Sequence, residues 1–414
     1  MRETGNLNDL YQSILRSSEL KEQVLPYLEA VKTMPEPSAV HEQAAIKRQK
    51  ILEVMGGNEE DWANWKWQLK NRINDSAVLA EIIGLSDLER KRIDRVSKVY
   101  RWAISPYYLS LVGEDYEYCP IYRQAVPDLK ELAPGGSLDP MKEALTSPAP
   151  CVTRRYPDRM IINVTNQCAM YCRHCQRRRN IGEQDRHACL EDIAQAIEYV
   201  AGNPEIRDVL ITGGDALLLS NHVLEFVLSA LQQIPHVEIK RIGTRVPVTM
   251  PQRITPELCE IIRKYPPIYI NTQFNHPLEI TPEAKAACDR LIEAGVVLGN
   301  QAVLLRGVND QPYVMRKLSQ DLLKIRVRPY YIFHAKDVQG TRHFQTSITA
   351  GMDIIRSMRG HTSGLAVPTY IVNAPGGLGK VPLMPNHLMQ CRKNKVVLRT
   401  WEGKLVELEN EPQP

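Results

Sequence analysis

The sequence predicts an α/β protein: a partial (β/α)6 barrel, preceded by an N-terminal helical region and followed by a short C-terminal tail. Three observations predict it. Residues 1 to about 105 carry apolar positions at helical spacing. From residue 160 onward, short β-rich runs alternate with longer helical stretches. These runs number six, short of the eight that close a full barrel, so an open sheet with room for a large ligand is expected.

The N-terminal helical region spans 1–119. Its first helix, over 9–29, sets Leu10, Ile14, Leu20, Val24 and Leu28 on a drifting face. Segments 44–55 and 86–107 read similarly, with Ser86 as an N-cap. Between them lie Trp62, Trp65 and Trp67, beside Gln68, Lys70 and Arg72. The favoured reading is an aromatic cluster packing helices together. Stacking on a nucleic acid would want a stronger basic stripe. Residues 120–158 carry Pro120, Pro127, Pro134-Gly-Gly, Pro140, Pro148, Pro150 and Pro157, and read as a Pro-rich linker.

The barrel is expected over 159–380, with strands at 160–165, 208–212, 238–243, 268–273, 296–304 and 328–334. Helical stretches such as 190–203 and 282–294 lie between them. In such folds the chemistry sits at the carboxyl ends of the strands. The tail, 381–414, has one expected strand at 395–400.

Composition excludes several classes. Of 414 residues 43% are hydrophobic and 24% charged, an ordinary globular balance. The net charge of +4 is too weak to call for nucleic acid or a membrane surface. No apolar run is long enough to span a membrane, and the first residues lack a secretory stretch, so a cytoplasmic protein is expected. Six of nine cysteines are scattered, and read as small buried hydrophobes. The other three are crowded.

Cys168-Ala-Met-Tyr-Cys172-Arg-His-Cys175 follows the first expected strand directly. A structural zinc site wants four protein ligands, and no second Cys pair stands at finger spacing. Three thiolates on a four-iron cluster leave one iron open to a substrate or cofactor. The spacing resembles the radical S-adenosylmethionine (SAM) superfamily, and Gly213-Gly214-Asp215 after the second strand resembles its glycine-rich motif. That resemblance implies a radical SAM barrel with a [4Fe–4S] cluster on Cys168, Cys172 and Cys175. It also implies SAM beside Gly213, Gly214 and Asp215, with His174 and Gln301 lining the SAM pocket, and an electron donor for the cluster.

A second motif, Pro375-Gly-Gly-Leu-Gly-Lys380, fails as a phosphate-cradling Walker loop: position 374 is Ala, and Val381 follows the lysine. Its lysine is either a solvated surface group or a Schiff-base amine. The stretch resembles the pyridoxal-phosphate (PLP) lysine loop of the lysine 2,3-aminomutase family. The likeness runs through nearly the whole chain, including Arg155-Tyr-Pro-Asp-Arg159, Arg241-Ile-Gly-Thr-Arg-Val-Pro, Asn275-His-Pro and Arg326-Val-Arg-Pro-Tyr-Tyr. By position it implies Lys380 as the PLP lysine, with Arg155 and Arg159 on the PLP phosphate. Arg177 is then the group gripping the substrate α-carboxylate. The competing readings are a solvated basic pair for Arg155 and Arg159, and a solvated face for at least one of Arg177-Arg-Arg179.

Two departures bear on the substrate. Lysine-specific members of the family hold the substrate's side-chain ammonium with two aspartates. Here those positions are Lys336 and Asn373. Lys336 beside a substrate ammonium is a costly like-charge pair. Beside a carboxylate it is a charge-assisted partner, with the Asn373 amide adding a neutral hydrogen bond. Glutamate fits, and the pattern resembles the glutamate-specific branch of the family. The competing reading turns Lys336 outward onto Asp337. The tail's single cysteine, Cys391, gives no expectation of zinc.

The expected reaction is therefore a radical SAM, PLP-dependent amino migration from L-glutamate to β-glutamate, in a homo-oligomer acting on a small amino acid. The alternatives are migration on lysine, action on a lysine of a protein, and a metal-binding regulator without catalysis.

Overall fold

The computed structural model describes residues 7–392 and 394–410. The opening hexapeptide, on which the expectation about a secretory stretch rests, lies outside the described residues.

Nine strands form one sheet in chain order. They are β1 (Val152–Thr153), β2 (Arg159–Thr165), β3 (Asp208–Gly213), β4 (Ile239–Gly243), β5 (Ile268–Thr272), β6 (Val297–Leu304), β7 (Arg328–His334), β8 (Thr369–Asn373) and β9 (Lys380–Leu383). Strands β2 to β8 run parallel, each to its neighbour, while β1 and β9 pair antiparallel at the two edges. The edge strands do not pair with each other, so the barrel stays open.

The alternation of strand side chains makes the layers. One face of each parallel strand is fully buried, as at Ile162, Val209, Ile242, Ile270, Leu298 and Ile332, and packs under the helices. The other face looks into the open barrel and stays half-buried in β2, β6 and β7. The helices start where hydroxyls and prolines direct: Ser220, Thr255, Thr281 and Ser347 each accept a first-turn N–H, and Pro256 and Pro282 occupy first-turn positions.

Six strand–helix units are present as expected, and β8 adds a seventh parallel strand. Sequence reading missed it because five residues running into a glycine turn carry little periodicity. The tail differs in the same way. It holds an antiparallel three-stranded sheet, β10 (Leu388–Cys391), β11 (Lys395–Arg399) and β12 (Leu405–Glu409), where one strand was expected.

The helical region opens with Leu7–Lys32, and Ser86 caps Asp87–Ser97 in a reciprocal capping box with Glu89. The tryptophans pack helices: Trp62 is buried under the Arg48 guanidinium, and Trp65 lies beneath Arg253. The stretch 120–158 is packed, unlike a loose linker. Helix Pro120–Ala125 buries Ile121 and Ala125, and the carboxylates of Glu131 and Glu143 are buried as well. Prolines punctuate this segment without freeing it, because charged contacts with the barrel hold it. Among the described residues no helix is long and apolar enough to cross a membrane.

Candidate active site

The cysteine loop leaves the carboxyl end of β2 and is held by backbone contacts to the segments before the barrel. Tyr171 N donates to Ala103 O (3.0 Å) and Arg173 N to Gln124 O (2.8 Å). Arg72 Nη1 donates to Cys168 O at 2.6 Å. Arg173, 1% exposed, forks onto buried Glu131 at 2.9 and 2.5 Å, and Arg178 reaches the same carboxylate. Arg178 is therefore a structural member of its arginine run.

Gly213 and Gly214, after the second expected strand, let this loop close on β3. Gly213 has φ +131°, and a Cβ there would lie 2.3 Å from Thr165 O; one on Gly214 would lie 2.4 Å from Gln167 O. Asp215 is buried and accepts from Thr244 Oγ1 (2.5 Å) and Arg245 N (2.7 Å). It lines the cavity, but its oxygens are already engaged in bracing the β3 and β4 ends.

All the candidate residues line one cavity in the mouth of the barrel, except Arg159. Arg159 stands at the start of β2, paired with Asp158 (3.1 Å) and stacked 4.1 Å over Tyr156. The three cysteines line this cavity together. Burial pushes the Cys168 and Cys175 thiols above the usual range, so thiolates there call for a compensating metal charge. Among the described residues no three His, Cys, Asp or Glu side chains converge on a single metal ion. Three thiolates are the donor set that a four-iron body takes, one on each of three irons with the fourth left open. His174 lies beside them with Gln273 Nε2 3.0 Å from its Nε2, which makes Nδ1 the protonated nitrogen. Among the described residues that N–H is buried without a partner. Gln301 joins the lining from β6.

Four further lining residues, Arg155, Arg177, Lys336 and Lys380, are cationic. Lys380 opens β9 directly opposite Asn373 of β8, so the glycine hairpin makes the two cross-strand partners. Much of Lys380 is exposed, yet its ammonium lies 4.7 Å from the Tyr331 ring and 5.3 Å from Phe333. Burial, then Arg241, Arg159 and Arg155, lower its pKa to about 8. Arg159 thus acts on Lys380 through its charge although it does not line the cavity. An amine titrating there is part-neutral near neutrality, as an imine-forming lysine needs.

Lys336 lies two residues past β7 and donates to Gln176 Oε1 in the cavity. Asp337 takes Arg342 instead (2.9 Å), so the outward pairing of Lys336 is not formed. Burial first, then Arg155 and Arg177, lower the Lys336 pKa to about 7, with Glu143 opposing. Among the described residues the Asn373 Nδ2 group is buried without a hydrogen-bond partner. Arg177 and Arg155 both reach the buried carboxylate of Glu143, at 3.2 and 3.1 Å. Burial alone would raise the Glu143 carboxyl, but Arg177, Arg155 and Lys336 outweigh it and hold the pKa at about 2.

Sequence reading missed Glu143 and Gln176, which carry no motif signal, and Arg245. The Arg245 guanidinium donates to Cys172 Sγ at 2.9 Å and is anchored on Glu279 at 2.7 Å. Only its place in Arg241-Ile-Gly-Thr-Arg-Val-Pro hinted at it.

A partial barrel with three cysteines after its first parallel strand defines the class of radical SAM enzymes, and the Radical SAM superfamily model matches residues 162–317. A second model, described as Lysine-2,3-aminomutase, matches residues 355–414. The chain belongs to the 2,3-aminomutase family of radical SAM enzymes. It is 55% identical over 97% of its length to glutamate 2,3-aminomutase of Clostridioides difficile (strain 630), covering 95% of that protein. It is 50% identical to L-lysine 2,3-aminomutase of Fusobacterium nucleatum subsp. nucleatum, over 83% of this chain and 82% of that one. With L-lysine 2,3-aminomutase of Acetoanaerobium sticklandii it shares 51% identity, over 84% of each. Enzymes of this family are isomerases that use a [4Fe–4S] cluster, SAM and PLP.

Proposed function

We propose that the enzyme moves the amino group of L-glutamate from C2 to C3, giving β-glutamate (3-aminoglutarate). Lys336 carries this reading: a cation in the cavity, with the unpartnered Asn373 amide lining the same cavity. Both are donors, and a γ-carboxylate is the complement of both. Substrate lysine would set its ammonium against Lys336, a like-charge contact in a poorly solvated site. The 55% identity to a glutamate enzyme supports the same choice.

When bound, the cluster on Cys168, Cys172 and Cys175 with SAM supplies a carbon radical, and PLP supplies the carbonyl that carries the migrating nitrogen. The chain positions these parts. Lys380, depressed to about 8, would hold PLP through its amine, and Arg155 would bind the phosphate, with Arg159 adding charge from outside the lining. Arg177 takes the α-carboxylate and Lys336 with Asn373 the γ-carboxylate, so the substrate is gripped at both ends and C2 and C3 cannot swing away. His174 Nδ1 and Gln301 would be donors to SAM, and Gly213, Gly214 and Asp215 keep the cysteine loop closed on β3. The reaction is an isomerisation: a hydrogen and an amino group exchange carbons, and no net oxidant is consumed.

The test is an anaerobic assay of the reconstituted enzyme on L-glutamate, L-aspartate and L-lysine, with the double variant Lys336→Asp, Asn373→Asp beside the parent. The parent is expected to favour glutamate. The double variant is expected to lose about 100-fold or more in glutamate kcat/KM, since a buried charge partner is worth about 2–5 kcal/mol. A parent that turns over lysine faster than glutamate overturns the proposal.

A further inference from the structure

Glu143 belongs to none of the motifs above, yet three arginines converge on it, two of which, Arg155 and Arg177, line the cavity. Arg177 gives Nε to Oε2 (3.2 Å) and Nη2 to Oε1 (3.3 Å), Arg155 gives Nη2 to Oε1 (3.1 Å), and Arg179 gives Nη2 to Oε2 (3.3 Å). A guanidinium has two edges that can fork onto a carboxylate. Glu143 takes the Nε–Nη2 edge of Arg177, which leaves Nη1 outside that fork.

The chain around Glu143 is tied to both loops that carry the reactive lysines. Ser137 N donates to Asp337 O (2.9 Å) and Gln339 N to Ser137 O (3.1 Å), next to Lys336. Gly376 N donates to Pro140 O (2.9 Å), in the turn before Lys380. A Cβ on Gly377 would lie 2.7 Å from Met141 O, so this approach needs glycine. Lys142, the residue before Glu143, takes a left-handed φ of 49°, which only a well-held segment keeps.

We propose that Glu143 is a positioning residue. Its carboxylate fixes Arg177 edge-on, so that the opposite edge meets the substrate α-carboxylate, and it links that orientation to Arg155 on the coenzyme side. The inference rests on the roles given above to Arg177 and Arg155. It differs from simple neutralisation of a cationic pocket, and the two ideas predict opposite signs. Removing a negative charge without loss of order would tighten the binding of a dianionic substrate.

Glu143→Gln and Glu143→Asp separate them. The first removes the charge, while the second keeps it but shortens the reach. The readout is the apparent Kd for L-glutamate, from the change in coenzyme absorbance of the anaerobic holoenzyme, together with KM and kcat. Both variants are expected to raise Kd and KM about tenfold or more, the cost of losing an aligned charged contact, with a much smaller change in kcat. Iron content and the Lys380-dependent absorbance band are expected to stay at the parent level. Tighter glutamate binding in Glu143→Gln, or parent-like binding in Glu143→Asp, overturns the proposal. Arg177→Lys is the companion variant. If it binds glutamate as the parent does, the assignment of Arg177 itself falls. If it binds weakly while both Glu143 variants bind normally, only the positioning role falls.

Discussion

At the scale of single residues, two depressed lysines give the enzyme opposite pH limbs. Lys336 titrates at about 7 and must be protonated to hold a carboxylate, so its contribution is complete below that pH and fades above it. Lys380 titrates at about 8 and must be neutral to attack the coenzyme carbonyl, so its limb belongs to coenzyme loading, which grows as pH rises. The kcat/KM for glutamate is expected to fall on the alkaline side through loss of the Lys336 charge. Lys336→Arg, charged throughout, is expected to lose that limb whatever its absolute rate. A pH–rate profile of parent and variant checks this, and an unchanged alkaline limb in Lys336→Arg would show that Lys336 does not read the substrate. The candidate side chains were legible because each has a chemistry tied to its spacing or to a family position. Glu143 was not: a lone glutamate in a proline-rich stretch looks solvated until the fold brings three arginines to it.

The same division holds for elements. Six strand–helix units and the Ser86 cap were readable because periodicity and capping act locally. Strand β8 and the outer strands of the tail were not, since short strands are defined by their partners more than by their own residues. The cysteine loop is the element on which function turns, and two predictions concern it. Cys168→Ala, Cys172→Ala and Cys175→Ala are each expected to lose cluster iron. Cys391→Ala, on exposed β10, is expected to keep it. Iron analysis decides, and a full complement in Cys172→Ala would sink the ligand set. Gly214→Ala touches no ligand, but its Cβ would meet Gln167 O at 2.4 Å and the Asn166 carbonyl carbon at 2.6 Å. Backbone cannot yield there as a flexible side chain would, so this variant is also expected to lose iron; parent-level iron would mean that the loop tolerates opening at β3.

For the whole molecule, the sequence suggested a helical region, a linker and a barrel as successive pieces, because prolines and glycines mark turns but say nothing about contacts. The contacts run across those boundaries. Tyr107 Oη and Thr281 Oγ1 are 2.5 Å apart, Ser105 Oγ donates to Thr249 O (2.5 Å), and Tyr108 Oη donates to Glu279 Oε1 (2.6 Å). Glu279 is fully buried and also receives Arg245, whose other donor meets Cys172 Sγ. A hydroxyl of the helical region therefore braces the anchor of an arginine that touches Cys172, a proposed cluster ligand. Tyr108→Phe removes one donor from a buried carboxylate, a loss of about 1–3 kcal/mol. The cost falls on both regions together if they share one cooperative unit. Thermal unfolding of the anaerobic holoenzyme, followed by helix signal and by the visible absorbance of the cluster, is expected to show coincident transitions in the parent. In Tyr108→Phe both are expected to shift down in step. If the helix signal melts earlier while the cluster absorbance stays at the parent temperature, the helical region is a separate unit and Tyr108 does not couple it to the site.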